Sequence, residues 1–301
     1  MPDYKKVRLI AMYMYISELY EKELKHTCQR FSNNSTPEFT GAELMTVYLF
    51  GIMEEKRFQV RQIHRFAGDY LLSWFPKLPS YQAFSNRLNN LSDAFRVLAM
   101  RLFILFFPED CDTEISLTDS MPVVTCKSKN RTAKVAREIV DKGYCSTKDM
   151  YFFGMRLHFL GYRRPGTVPF PEYIGITAAS ENDLTAFKEL FGDKIYNRVI
   201  FGDKIYSDKP YFDMKETEQS IVMLTPVKLK KGEADSIRQR EKAYRDLFGA
   251  AVSKIRQPVE SFFNWINEKT KIQEAQKVRS TKGLLTHIFG KIAAAFMYLI
   301  F

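Results

Sequence analysis

Clustered metal-binding side chains are missing from this sequence. It has four cysteines (Cys28, Cys111, Cys126, Cys145) and four histidines, with no CxxC pair and no histidine at zinc spacing. Neither a structural zinc module nor a disulfide framework is therefore expected, and a reducing cytoplasm fits. His26, His64 and His287 form no recognisable catalytic set with a serine or cysteine. Also absent is any uninterrupted apolar run of the ~18–20 residues that a membrane-spanning helix needs. "VLAMRLFILFF" is broken by Arg101 and "LLTHIFGKIAAAFMYLIF" by His287 and Lys291, so both read as core helices. The opening MPDYKK, followed by a helix-like run with Glu18 and Glu21, does not read as a signal peptide.

Acidic residues are in short supply. Against 45 Lys and Arg stand 35 Asp and Glu, a formal net charge of +10 and a pI near 9.3. The first 110 residues hold 14 basic against 12 acidic side chains and the remainder 31 against 23. A polyanionic partner is expected, bound mostly by the second part. With 301 residues, 46% hydrophobic and 14% aromatic, the chain can bury a sizeable core in one large or two modest domains.

Residues 1–110 read as helices. "TGAELMTVYLFGIMEE" offers Thr40 as N-cap and Glu43 three residues on, a capping box. "RFQVRQIHRFAGDYLLSWFP" reads as a helix stopping at Pro76, and a short and a longer helix follow, split by "NNLSD". Short helices with tight breaks suit a helix-turn-helix-like DNA reader, with Gln82, Ser85, Asn86 and Arg87 as contacts, and equally a packing or dimerisation domain. After residue 110 the pattern becomes strand-rich. "TEISLTDSMPVV", "MYFFGMRLHFLGY" and "VPFPEYIGITAA" read as three strands, "ENDLTAFKELFG" as a helix, "NRVIFGD" and "SIVMLTPVK" as two more strands. Further helices fill residues from about 233 to the C-terminus. That order predicts an α/β fold with a mixed five-stranded sheet whose first strands form a meander.

The hexapeptide FGDKIY occurs twice, at 191–196 and 201–206. The first copy follows a helical pattern (Leu184, Phe187, Leu190), which makes Gly192 a C-cap glycine and Asp193 a loop residue. The second follows the buried-strand run "RVIF", so Val199, Phe201 and Asp203 share one side, and Gly202 permits close backbone approach. Asp203 thus emerges at the C-terminal end of a core strand, where open α/β sheets bind ligands. Asp208 reads as the cap of the next helix. In "ISLTDS", Ile115, Leu117 and Asp119 repeat the arrangement, although a turn-forming aspartate would fit the same letters. A third acid lies in "KIRQPVESFFNWINEKTK". Val259, Phe262, Phe263 and Ile266 make a buried stripe, with Glu260 and Arg256 on its flank and Pro258 in the first turn. Alone, Glu260 reads as an ordinary surface residue of an amphipathic helix.

Taken together, "LTDSMPVV", "VIFGDKIY" and "IRQPVESFFNWI" resemble the three acidic motifs of bacterial insertion-sequence transposases of the DDE class. The resemblance continues through "GYCSTKDMYFFGMRLH" and "AQKVRSTKGLLTHIFGKIAAA" and covers roughly residues 111–295. It implies an RNase H-like catalytic domain over 111–301, with Asp119, Asp203 and Glu260 as the acidic triad. It also implies a helical domain over 1–110, a candidate for binding DNA ends. Arg256 matches a basic residue common in the family. Ser253 stands where some relatives carry a tyrosine, so that tyrosine's role is not carried over.

Phosphodiester transfer needs an activated oxygen nucleophile and a stabilised leaving group, which two divalent ions can provide. Hard carboxylate ligands suit Mg²⁺ or Mn²⁺, and two ions are expected on Asp119, Asp203 and Glu260. Basic residues supply a DNA track: Lys127, Lys129, Arg131, Lys134 and Arg137 after the first acid, and Lys228, Lys230 and Lys231 before the third. His158, in "GMRLHFL", approaches the site or simply lies on the polar side of its strand. Trp74 and Trp265 could stack on an unpaired base or pack. The expected partners are double-stranded DNA, as terminal inverted repeats and target, and further copies of the chain, with no membrane. The expected activity is cleavage at element ends and strand transfer into target DNA, in a bacterial cytoplasm at the nucleoid. A nuclease of the same fold without strand transfer, or an inactive DNA-binding derivative, are the alternatives.

Overall fold

The structure is a computed structural model that describes residues 1–28, 37–127, 134–145, 149–227 and 235–301. Its contacts form two compact units, one of Met1–Phe106, Thr132–Glu138 and Ile266–Phe301, the other of Phe107–Arg131 and Ile139–Trp265.

The helical unit begins with α1 (Asp3–Leu19), which runs through a π-type turn at Tyr20–Leu24 into α2 (Lys25–Cys28). Then come α3 (Gly41–Met53), α4 (Val60–Tyr70), α5 (Tyr81–Asn89) and α6 (Ser92–Leu105). The Thr40–Glu43 capping box starts α3, with both reciprocal bonds made. Apolar on every side, α3 is buried from Leu44 to Met53, as a helix without a polar face must be. The helix expected to run to Pro76 ends instead at Tyr70, and turns closed by Trp74 and Phe75 onto the Leu71 carbonyl follow. Phe75 precedes a proline, which disfavours its helical conformation.

The other unit is built on one sheet of β1 (Asp112–Lys127), β2 (Asp141–Cys145), β3 (Met150–Arg163), β4 (Phe170–Ala178), β5 (Arg198–Phe201) and β6 (Ile221–Leu224). Helices α7 (Asp183–Leu190), α8 (Lys209–Gln219), α9 (Asp235–Arg256) and α10 (Pro258–Thr270) are interleaved or follow. The strand order is β2-β3-β1-β5-β6, and β4 also pairs with β3. β1, β3 and β4 form an antiparallel meander, while β5 and β6 run parallel to β1. This mixed sheet flanked by helices is RNase H-like. The sixth strand, β2, was not expected. "DKGYC" has no apolar alternation, and its edge position is held by backbone pairing to Met150–Gly154. One sheet face carries a core of Leu160, Phe187, Phe191, Ile195, Ile200, Tyr206, Phe212 and Ile221. On the other, Phe159 packs against Phe262 and Phe263 of α10.

The last helix, α11 (Thr281–Met297), belongs to the helical unit, so the C-terminal helices are divided between the two units. It is buried on all sides from Thr286 to Met297, with Phe296 edge-on to Phe103 of α6 at 4.7 Å. Among the described residues no helix is long and apolar enough to cross a membrane. Lys291 is 1% exposed, and its ammonium donates to the Lys271 carbonyl at 2.9 Å. One turn earlier, His287 is bonded to the Ile272 carbonyl. Burial pulls the Lys291 amine down to about 7, while the Glu274 carboxylate opposes that shift. The unfolded chain therefore binds a proton that the folded chain releases between about pH 7 and the ordinary lysine value. Stability rises with pH across that window, and the full penalty, on the order of 4 kcal/mol, applies at neutral pH and below. Lys291→Met is expected to flatten this rise. Melting temperatures of parent and variant measured from pH 7 to 10 should converge with rising pH, and parallel curves would contradict the assignment.

Candidate active site

The register of two parallel strands sets the site. β1 pairs with β5 through Ile115–Val199, Ser116–Ile200 and Leu117–Phe201. Asp119 and Asp203 each stand two residues beyond the last of these rungs, on the side of the strand that carries Leu117 and Phe201. The two carboxylates are held alike: Asp119 Oδ1 accepts the Ser120 N–H at 2.8 Å and Asp203 Oδ1 the Lys204 N–H at 2.7 Å. The Asp203 bond caps a 3₁₀ turn, Lys204–Tyr206, which is anchored by the buried Tyr206. A Cβ at Gly202 would come within 2.9 Å of the Tyr206 ring, so only glycine lets the strand turn this tightly.

The first FGDKIY copy goes elsewhere. Asp193 is 90% exposed and pairs with Lys215 of α8 at 2.8 Å. Gly192 does follow α7, but not in the left-handed conformation of a C-cap glycine. Its reason is space: a Cβ there would stand 2.3 Å from the Tyr211 hydroxyl and 2.6 Å from the Lys188 carbonyl. Asp208 caps α8 by accepting the Tyr211 N–H and pairs with Lys188 at 2.6 Å.

Arg256 links the remaining acids. It closes α9, and Pro258 opens α10 with Glu260 in the first turn. Its Nη1 donates to Asp119 Oδ2 at 2.5 Å and its Nη2 to Glu260 Oε1 at 3.2 Å, while its buried Nε has no hydrogen-bond partner among the described residues. Burial pushes the Asp119 carboxyl up to about 6; Arg256 and the Ser120 N–H pull it down, and Asp183 and Asp203 add to the rise.

Among the described residues, no three His, Cys, Asp or Glu side chains stand together as a metal-holding group. Glu260 is engaged with Arg256, whose guanidinium occupies the cationic place beside Asp119. The donor chemistry nevertheless fits a hard divalent ion. One carboxylate lies within β1 and the other just past the end of its parallel neighbour β5, and Asp119 carries a desolvation and repulsion penalty that a cation would relieve.

The family model of a transposase DDE domain matches residues 110–297. The chain belongs to the DDE transposase family. No curated protein and no solved structure matches it. As a member of this family it has a transposase-type function, with DNA as substrate and divalent metal ions as the family's usual cofactors.

The other expected residues of this DDE transposase scatter. Lys127 is exposed at the end of β1, and Lys134 and Arg137 are exposed in the segment that packs with the helical unit. Lys129, Arg131, Lys228, Lys230 and Lys231 lie outside the described residues. Arg87 donates to the Phe39 carbonyl of its own unit, while Gln82 and Asn86 are exposed. Trp265 packs at 6.0 Å from Phe262. His158 is 2% exposed, bonded through Nε2 to Thr177 Oγ1 at 2.8 Å, and burial lowers it to about 4. Its ladder partner is Ser120, so it faces away from Asp119. The sequence reading missed Asp183, a buried carboxylate 3.8 Å from His158 Nδ1. The available signal was Arg156, a charged residue inside an aromatic-rich strand, which must find a buried partner.

Proposed function

We propose that the chain is an insertion-sequence transposase that cleaves DNA at element ends and transfers the cut strand into target DNA, using Mg²⁺ or Mn²⁺. The observation that carries this reading is the matching position of Asp119 and Asp203 on parallel neighbours, with Arg256 bonded to both Asp119 and Glu260. Asp119 and Asp203 would be the main metal ligands, joined by Glu260 once Arg256 releases it. When bound, such ions stabilise charge on the phosphoryl oxygens.

The chain's own groups supply the rest. The paired N–H donors of Ser120 and Lys204 hold each carboxylate in one orientation. Partial burial of Asp119 strengthens every electrostatic interaction made there. Arg256, planar and always charged, suits bidentate contact with a phosphate after it leaves Asp119. Lys127 and the other basic residues expected on the DNA track bind phosphates without choosing sequence.

The test is incubation of the full chain with DNA carrying the element ends and a target duplex, with and without Mg²⁺. Metal-dependent cleavage with a joined product supports the proposal. Cleavage without joining reduces it to a nuclease, and binding without cleavage refutes it. End binding should also fall steeply with salt, by about 10³–10⁵ between 50 and 200 mM if about 6–10 phosphates are contacted. A flat salt dependence, read by gel shift, would remove the phosphate track from the account.

A further inference from the structure

Asp119 is followed by a residue that points to the opposite face of the sheet. Ser120 stands across from His158 in the β1–β3 ladder, and its hydroxyl donates to Asp183 Oδ1 at 2.8 Å. Asp183, the first residue of α7, is 8% exposed. Arg156 satisfies both of its oxygens, with Nη1 at 3.2 Å from Oδ1 and 3.0 Å from Oδ2, and stands 3.4 Å from the Ser120 hydroxyl. The other guanidinium nitrogens are also committed, Nε to the Ala179 carbonyl at 3.2 Å and Nη2 to the Tyr144 carbonyl at 3.0 Å. Five segments thus meet at one charged pair: β1, the end of β2, β3, the turn after β4, and α7.

Burying a carboxylate and a guanidinium is unfavourable unless each is fully bonded, and apolar side chains would pack the same space at no such penalty. The charged pair therefore calls for a reason beyond packing. Its position supplies one, because the network ends on Ser120. The Ser120 hydroxyl is clamped on one face of the sheet, and the Ser120 N–H holds Asp119 Oδ1 on the other. Rotation of that peptide would swing the donor away from Asp119, and the clamp opposes it.

We propose that Asp183, Arg156 and Ser120 form a positioning set that fixes the orientation of the Asp119 carboxylate for a divalent cation. The proposal rests on Asp119 being a metal ligand, as argued under the proposed function. None of the three residues reaches the reacting phosphate; they act through the Ser120 peptide. A set that served only to hold the sheet together would, when disturbed, lower the melting temperature and leave the metal affinity of the folded protein unchanged.

The deciding measurement is Mn²⁺ binding to the full chain, followed by the electron paramagnetic resonance signal of free Mn²⁺, with thermal melting to establish that each variant is folded. Ser120→Ala removes the clamp and leaves the Asp183–Arg156 pair in place; Ser120→Thr keeps the hydroxyl. Loss of an outer-shell partner of this kind is expected to weaken Mn²⁺ binding about 10–100-fold in Ser120→Ala, while Ser120→Thr binds close to the parent. Asp183→Asn should shift affinity in the same direction as Ser120→Ala. Folded Ser120→Ala with parental Mn²⁺ affinity overturns the positioning role and leaves the metal reading of Asp119 standing. A parent that binds no Mn²⁺ overturns that reading itself, and the positioning role with it.

Discussion

Asp203→Asn is expected to lower the rate of metal-dependent cleavage at least about a thousandfold, because Lewis-acid stabilisation by a correctly held ion is worth several kcal/mol. Binding of end-containing DNA should be nearly unchanged. The substitution is almost isosteric. Asn keeps the Oδ1 acceptor for the Lys204 N–H, so the 3₁₀ cap and the buried Tyr206 anchor survive. Only the negative charge is removed. The chain also carries its own control, since Asp193 occupies the same place in an identical hexapeptide. Asp193→Asn breaks an ion pair whose acid is 90% exposed, an interaction worth at most about 1 kcal/mol. Cleavage by that variant should match the parent. Full activity in Asp203→Asn, or its loss in Asp193→Asn, measured on one labelled end substrate, would undo the assignment of the second copy to the site.

Why the two copies could be told apart in the sequence is physical. What precedes each one is local: a 3.6-residue apolar period before the first, and a short run of Arg198–Phe201 strand before the second. Strand periodicity likewise put Asp119 and Asp203 on the sides of Leu117 and Phe201, and the capping box fixed where α3 begins. Pairing is not local. Nothing in "ISLTDS" or "RVIF" states that Leu117 meets Phe201, and that register is what aligns the two acids. Edge strand β2 escaped because its stability comes from neighbours rather than from its own pattern. Asp183 has the position of an ordinary helix-start acid beside the true cap, Asn182, whose side chain accepts the Leu184 N–H. Only the tertiary approach of Arg156 and Ser120 distinguishes it. Gly192 had the position of a C-cap glycine but is glycine for a steric reason that lies across the fold, at Tyr211.

The helix that carries Glu260 packs two aromatic rings on Phe159, and removing the nearer one should be the most damaging change away from the carboxylates. Phe159 is the ladder partner of Asp119, and its ring lies 4.6 Å from that of Phe262, which is 1% exposed. Glu260 precedes Phe262 by two residues in the same helix. Phe262→Ala is therefore expected to destabilise the sheet unit by about 3–5 kcal/mol, the range for deleting a buried phenyl ring. Because two compact units need not unfold together, the reading should come from Trp265, 6.0 Å from Phe262, in a Trp74→Phe background that leaves it the sole tryptophan. Phe262→Leu leaves a smaller cavity and should lose less. Cleavage under conditions where Phe262→Ala remains folded should also fall, since Arg256 and Glu260 flank the loosened helix start, whereas Mn²⁺ affinity, carried mainly by Asp119 and Asp203 on the sheet, should change little. A loss below about 1 kcal/mol, or unchanged cleavage, would mean that α10 is held in register by contacts other than Phe159.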